Sequence, residues 1–303
     1  MDNVKKWLLA ITIVCLTLSL AACNSKTQSD LNHFEKAKHE VDKEEKHVKQ
    51  VMDDIHLNRL SELSKSDLTD RNKTDFQQME KDIDKKLMPA FKSYKKAAKQ
   101  LPAETKKVKQ LRHTYLHEVD QQEKALKDIR SFVHLCNQSI KANEDILNYT
   151  RLFEKNRALL EKQVTEARQN GETESIDKFT SKLKHHNKEL QKIAKKYLDA
   201  DNPQNTKTVI KEKIQPLISK QIEELNQASV SEEKTAKAHQ TAIEMYYSLQ
   251  NYYETRQRTI DISRKLEQYD MNKTPLTGNE LDKYHHQFRN DFKGLKNDVH
   301  QND

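Results

Sequence analysis

Histidines at helical spacing are the first residues that can do chemistry here. His113 and His117 stand four apart, a spacing that lets two imidazoles reach one zinc ion from a single helix face. Position 114 is Thr, however, so the general base of the HEXXH arrangement is missing. His185-His186 and His285-His286 are adjacent pairs whose rings diverge around a helix. These read as surface histidines, except that the heptad position of His186 makes it a core or edge residue. There is no G-x-S-x-G, no P-loop and no glycine-rich phosphate cradle, and acid pairs such as Asp53-Asp54 or Glu223-Glu224 are expected by chance at this acid density. The pattern yields no catalytic residue, no metal site and no cofactor, and points away from an enzyme.

One cysteine carries a more specific signal. Lys5 and Lys6 precede an apolar run from Trp7 to Leu18, and Leu20-Ala21-Ala22-Cys23 comes next. The run is shorter than the ~20 residues a membrane span needs, so it reads as a secretory signal. Small residues directly before a cysteine match a bacterial lipobox, in which the Cys23 thiol takes a diacylglycerol and becomes the first residue after cleavage. Two acyl chains, at ~0.8 kcal/mol per buried methylene, make a durable anchor. The expected organisation is a signal peptide over 1–22, a lipidated tether over 23–30 and a helical domain over 31–303, held at the extracellular face of the cell membrane. Cys15 departs with the signal, which leaves Cys136 with no disulfide partner and the role of a buried structural thiol.

The elements that must position any site are helices. Three glycines and five prolines in 303 residues deny the chain the turns that sheets require, and 34% hydrophobic content with 33% charge suits long helices that bury only a stripe. The expected fold is all-α: an elongated bundle of about six helices with long antiparallel coiled-coil-like segments. The first runs from an Asp30 N-cap to about Leu63, with Leu31, Phe34, Val41, Val48, Met52 and Ile55 on its stripe, interrupted by Lys38 and Glu45. Ser64 to Lys73 is a turn. A capping box of Thr74 and Gln77 opens the second, with Ile83, Leu87, Ala90, Tyr94, Ala97 and Leu101 inside and a kink expected at Pro89. The third starts at Pro102 and meets no breaker until Gly171; its seam is Val119, Gln122, Leu126, Ile129, Val133, Cys136, Ile140, Asn143 and Leu147. The fourth carries Ile176, Phe179, Leu183, His186, Leu190, Ile193 and Tyr197. The fifth is expected from Thr206 to Tyr269 with a bend at Pro216. The last begins at a capping box of Thr277 and Glu280 and carries Tyr284, Phe288, Phe292, Leu295 and Val299.

Four tyrosines crowd the fifth helix in EMYYSLQNYYE, Glu244 to Glu254. Tyr246 and Tyr253 share a face with Ala242, Leu249 and Ile260 and belong to the seam. Tyr247 and Tyr252 lie off it, where they either widen the packed face or form an exposed aromatic patch that stacks on sugar rings. The Glu244-Met245-Tyr246-Tyr247 tetrad, behind a lipobox and on a helical chain, resembles the EMYY-motif lipoprotein family of low-GC Gram-positive bacteria. A looser similarity is to YkyA-like cell-wall-binding lipoproteins. The resemblance implies an outer-surface lipoprotein with no established reaction, and Cys23 is the one functional residue it carries across.

Charge is unevenly spread. The formal net charge is +7, yet Lys81 to Arg112 holds eleven basic residues against three acids. Lys85, Lys92, Lys96 and Lys99 fall opposite the apolar stripe of the second helix. This ridge is either a solvated face or a contact for polyanions. Outside a membrane those are anionic lipid headgroups and wall polymers, not nucleic acid. A helical binding or scaffolding module, with an unidentified protein partner, is therefore the expected function. The alternative is a wall-polymer or solute receptor that uses Tyr247, Tyr252 and the lysines.

Overall fold

A computed structural model describes the backbone of residues 2–63, 70–197, 203–269 and 283–300, with side chains from Ser25 onward. The described residues are helical with no strand: α1 Asp2–Asp54, α2 Leu60–Leu63, α3 Lys73–Asp82, α4 Met88–Lys99, α5 Lys106–Gln169, α6 Thr173–Tyr197, α7 Pro203–Val209, α8 Gln215–Asn226, α9 Glu233–Leu266 and α10 His286–His300. Five-residue π-helical turns, Ile83–Leu87 and Ile210–Ile214, join α3 to α4 and α7 to α8. The Cys23 side chain, residues 64–69 and 198–202 where turns were expected, and the expected Thr277–Glu280 capping box lie outside the described residues.

The chain forms two compact units. The first takes residues 1–67, 74–134 and 270–303, and the second takes 68–73 and 135–269, so α5 contributes its beginning to one and its remainder to the other. In the first, α1 packs on α4 and on α10. In the second, α8 lies against α9 and α6 covers both. Ala238 and Ala242 on α9 are fully buried in the core of that unit.

Each unit is built on the same plan. A long helix (α1 or α6) is succeeded by a helix with a π-turn, then by a proline at the second position beyond that turn, then by a short break and another long helix. Pro89 and Pro216 occupy that position. The proline ring cannot donate a hydrogen bond and clashes with the preceding turn, and the wider π-turn accommodates it without ending the helix. Many buried positions correspond at a constant offset. Ile83, Leu87, Phe91, Tyr94 and Ala98 match Ile210, Ile214, Ile218, Gln221 and Leu225. Leu111, Tyr115, Glu118 and Val119 match Ala238, Ala242, Met245 and Tyr246.

Several expected boundaries move. α1 passes through Asp30 without a cap there, and the unit takes in Thr27 and Asp30, both buried. It stops at Asp54, where His56 adopts a left-handed φ of 53°. The π-turn adds a residue and rotates the helix beyond it, so Phe91 and Ala98 are buried in α4 where Ala97 was expected. α3 begins one residue before the expected cap Thr74. Pro102 lies ahead of α5, not in its first turn. The expected fifth helix is interrupted at 227–232, with Glu232 extended (φ −86°, ψ 133°). Gly171, at φ 84°, ends α5 as expected.

Candidate functional site

Three groups of side chains stand out. The first is the lysine ridge. Lys85 on the π-turn and Lys92, Lys96 and Lys99 on α4 are all exposed. Their neighbours are engaged: Lys86 pairs with Asp82 at 2.8 Å, and Lys95 lies 2.6 Å from Asp120 and 2.5 Å from Glu123. No ion pair involves the four ridge lysines among the described residues, while Phe91 and Tyr94 on the other side of α4 are buried.

The second is the tyrosine stretch on α9, which faces two ways. Met245 and Tyr246 are buried, and the Tyr246 hydroxyl donates to Asn187 Oδ1 at 3.4 Å while its ring meets His186 edge-on. Tyr253 packs on the same core. Tyr247 is 46% exposed. Tyr252 is half-buried and sits edge-on against Tyr253 at 5.2 Å, so the two candidate binding tyrosines do not make one open patch. His186 is buried as expected, with Nε2 2.9 Å from Glu224 Oε2.

The third group, missed by the sequence reading, is a polar cluster in the first unit. His285 is not a surface residue: it is 4% exposed and stacks on Tyr115 at 5.0 Å. Its Nδ1 lies 3.1 Å from Glu118 Oε2, and its Nε2 lies 3.1 Å from the Tyr94 hydroxyl and 3.0 Å from the Gln122 amide. Glu118 is buried too, and its other oxygen accepts the Phe288 N–H at 3.0 Å, so one carboxylate holds both the approach to α10 and its first turn. Burial pushes the Tyr94 phenol, 3.0 Å from Tyr115, far above the usual range, so it stays protonated. The overlooked signal was the spacing 285, 288, 292, 295, 299, which puts His285 on the stripe of α10. The expected seam of α5 holds from Val119 to Ile140, whereas Asn143 and Leu147 are exposed. His113 and His117 are exposed, and no cluster of His, Cys, Asp and Glu able to hold a metal occurs among the described residues.

Helices without strands, stabilised by apolar seams with a few buried polar pins, define an all-α bundle protein. Within that class the chain belongs to the EMYY-motif containing lipoprotein family, whose model matches residues 4–296. It is thus a lipoprotein, anchored to a membrane. Comparison with curated proteins and with solved structures finds no match.

Proposed function

We propose that the protein is a non-catalytic helical binding or scaffolding module at the interface of membrane and cell wall. The signal peptide over 1–22 is removed, diacylglycerol on Cys23 holds the chain at the outer face of the membrane, and the helical domain follows a short tether that ends before Thr27. The observation that carries the binding role is the ridge of Lys85, Lys92, Lys96 and Lys99, four exposed cations with no carboxylate against them among the described residues. Anionic headgroups and anionic wall polymers are the polyanions within reach of an anchored protein, and each adjacent lysine adds ~1 kcal/mol at such a surface. A protein partner docked on the bundle is compatible with this role.

The receptor alternative draws support from Tyr247 alone, since Tyr252 is engaged with Tyr253. Replacing the four lysines with Gln tests the main reading. Sedimentation with phosphatidylglycerol vesicles or purified wall polymer should show binding that falls with salt and is lost in the variant. Equal binding by both proteins at low salt would make the ridge a solvated face.

A further inference from the structure

Four helices of the first unit meet at the end where α1 enters it. Asp30 on α1 takes the N–H groups of Glu104 and Thr105 at the head of α5. Arg112 donates to the Lys99 carbonyl at 2.6 Å, which brings the last turn of α4 to the first turns of α5. α10 runs antiparallel to α1: His285 lies 3.8 Å from Glu45, whereas Lys296, further along, lies 3.0 Å from Glu35. Its last turn therefore reaches the same end, with Asp298 3.6 Å from Lys107. Thr27 is already buried there, and the stretch from Cys23 to Thr27 spans at most ~14 Å even if fully extended. Asp54, at the other end of α1, is ~36 Å of helix beyond Asp30.

The near end is cationic. Lys26 on α1 and Lys106 and Lys109 on α5 are exposed, and none of the three has an ion-pair partner among the described residues. The acids beside them are mostly committed: Asp30 is buried on the head of α5, Glu35 is held by Lys296 and Asp298 lies by Lys107, which leaves Glu104 exposed. Side chains on a helix lean toward its N-terminus. Lys26 thus leans back toward Cys23, and Lys106 and Lys109, in the first turn of α5, lean past its head.

We propose that this end of the first unit is a docking face for the anionic phospholipid headgroups around the anchor, with Lys26, Lys106 and Lys109 as its contacts. The acyl chains supply retention, and the three lysines supply orientation by pressing the near end of the unit onto the surface. The proposal rests on the reading of Cys23 as the lipidated residue and is independent of the lysine ridge.

The test is energy transfer from a dye on the mature lipidated chain to a headgroup-labelled lipid, in vesicles of phosphatidylglycerol and of phosphatidylcholine. The dye is placed by Gln110→Cys at the near end or Asp54→Cys at the far end, both exposed, while Cys136 is buried. On phosphatidylglycerol, transfer from position 110 should exceed transfer from position 54, and added salt should narrow the gap. Lys26→Gln with Lys106→Gln and Lys109→Gln, all ridge lysines kept, should lower transfer from position 110 to its level on phosphatidylcholine. Equal transfer from the two positions in a chain that stays on the vesicles, or unchanged transfer in the triple variant, would overturn this proposal alone. Dye attached to Cys23 would show a free thiol there and overturn the anchor reading together with the proposal.

Discussion

The carboxylate of Asp30, on α1, accepts the backbone N–H of Thr105 at 2.7 Å, so an acid of one helix closes the head of another. It also accepts from Glu104 N and from the Thr105 hydroxyl. Glu172, ahead of α6, does the same at the head of α9, taking the amides of Lys234 and Thr235 and the Thr235 hydroxyl. Helix heads leave amides unsatisfied, and these two are met from outside the helix.

Asp30→Ala should destabilise a soluble form beginning at Asn24 by about 1 to 2 kcal/mol in urea unfolding, as loss of a good cap does. Burial alone would raise the Asp30 carboxyl, but the hydrogen bonds from Thr105 and Glu104 win and hold it below the usual range. Its contribution is therefore complete above an ordinary carboxylate pKa of about 4 and fades as pH falls through the lower folded value. Wild type and variant should converge in acid. A gap that widens there would contradict the sign.

Tyr246→Ala should cost about 3 kcal/mol, because it removes a ring from a closed core. Tyr247→Ala, one position on, should change stability by no more than about 0.5 kcal/mol. Similar melting temperatures for the two variants would refute the two-faced reading of the motif.

Cys136 should resist alkylation. Burial pushes its thiol up to about 12, and it is the free cysteine among the described residues. At pH 8 a maleimide should label it only after denaturant is added. Rapid labelling of the native protein would show that the α5 seam opens.

Cys23→Ala should abolish incorporation of labelled lipid and leave unprocessed precursor in the membrane or protein in the medium. Lipid label on the variant would place the anchor elsewhere.

The helical class and the extent of α5 were legible because both arise from composition: few glycines, and no helix breaker between Pro102 and Gly171. The division of the tyrosine stretch was half legible. Spacing put Tyr246 in the core, but only packing settled that Tyr247 is open and Tyr252 is not. Asp30 misled because a carboxylate before an apolar stripe looks like a cap for its own helix, and nothing local says that its oxygens turn to Thr105. The break before α9 was hidden for the same reason, since Glu172 is remote in sequence. His285 was hidden by its neighbour: an adjacent His286 on the exposed side made the pair look superficial. The common plan of the two units leaves a faint written trace, Ile83-x-x-x-Leu87-x-Pro89 beside Ile210-x-x-x-Ile214-x-Pro216, which periodicity alone passes over.

The first unit is discontinuous, completed by residues 270–303, whereas the second is made almost wholly of 135–269. Synthesis delivers the chain from its N-terminus, so every residue of the second unit has emerged before α10 does. The helices α1, α4 and the start of α5 must wait, with Glu118 and Tyr115 uncovered, until the final stretch arrives with His285. A ribosome that stalls or a protease that clips near the C-terminus thus releases a chain whose second half can be sound and whose first half is unfinished. Loss of the last residues is felt at the beginning of the molecule.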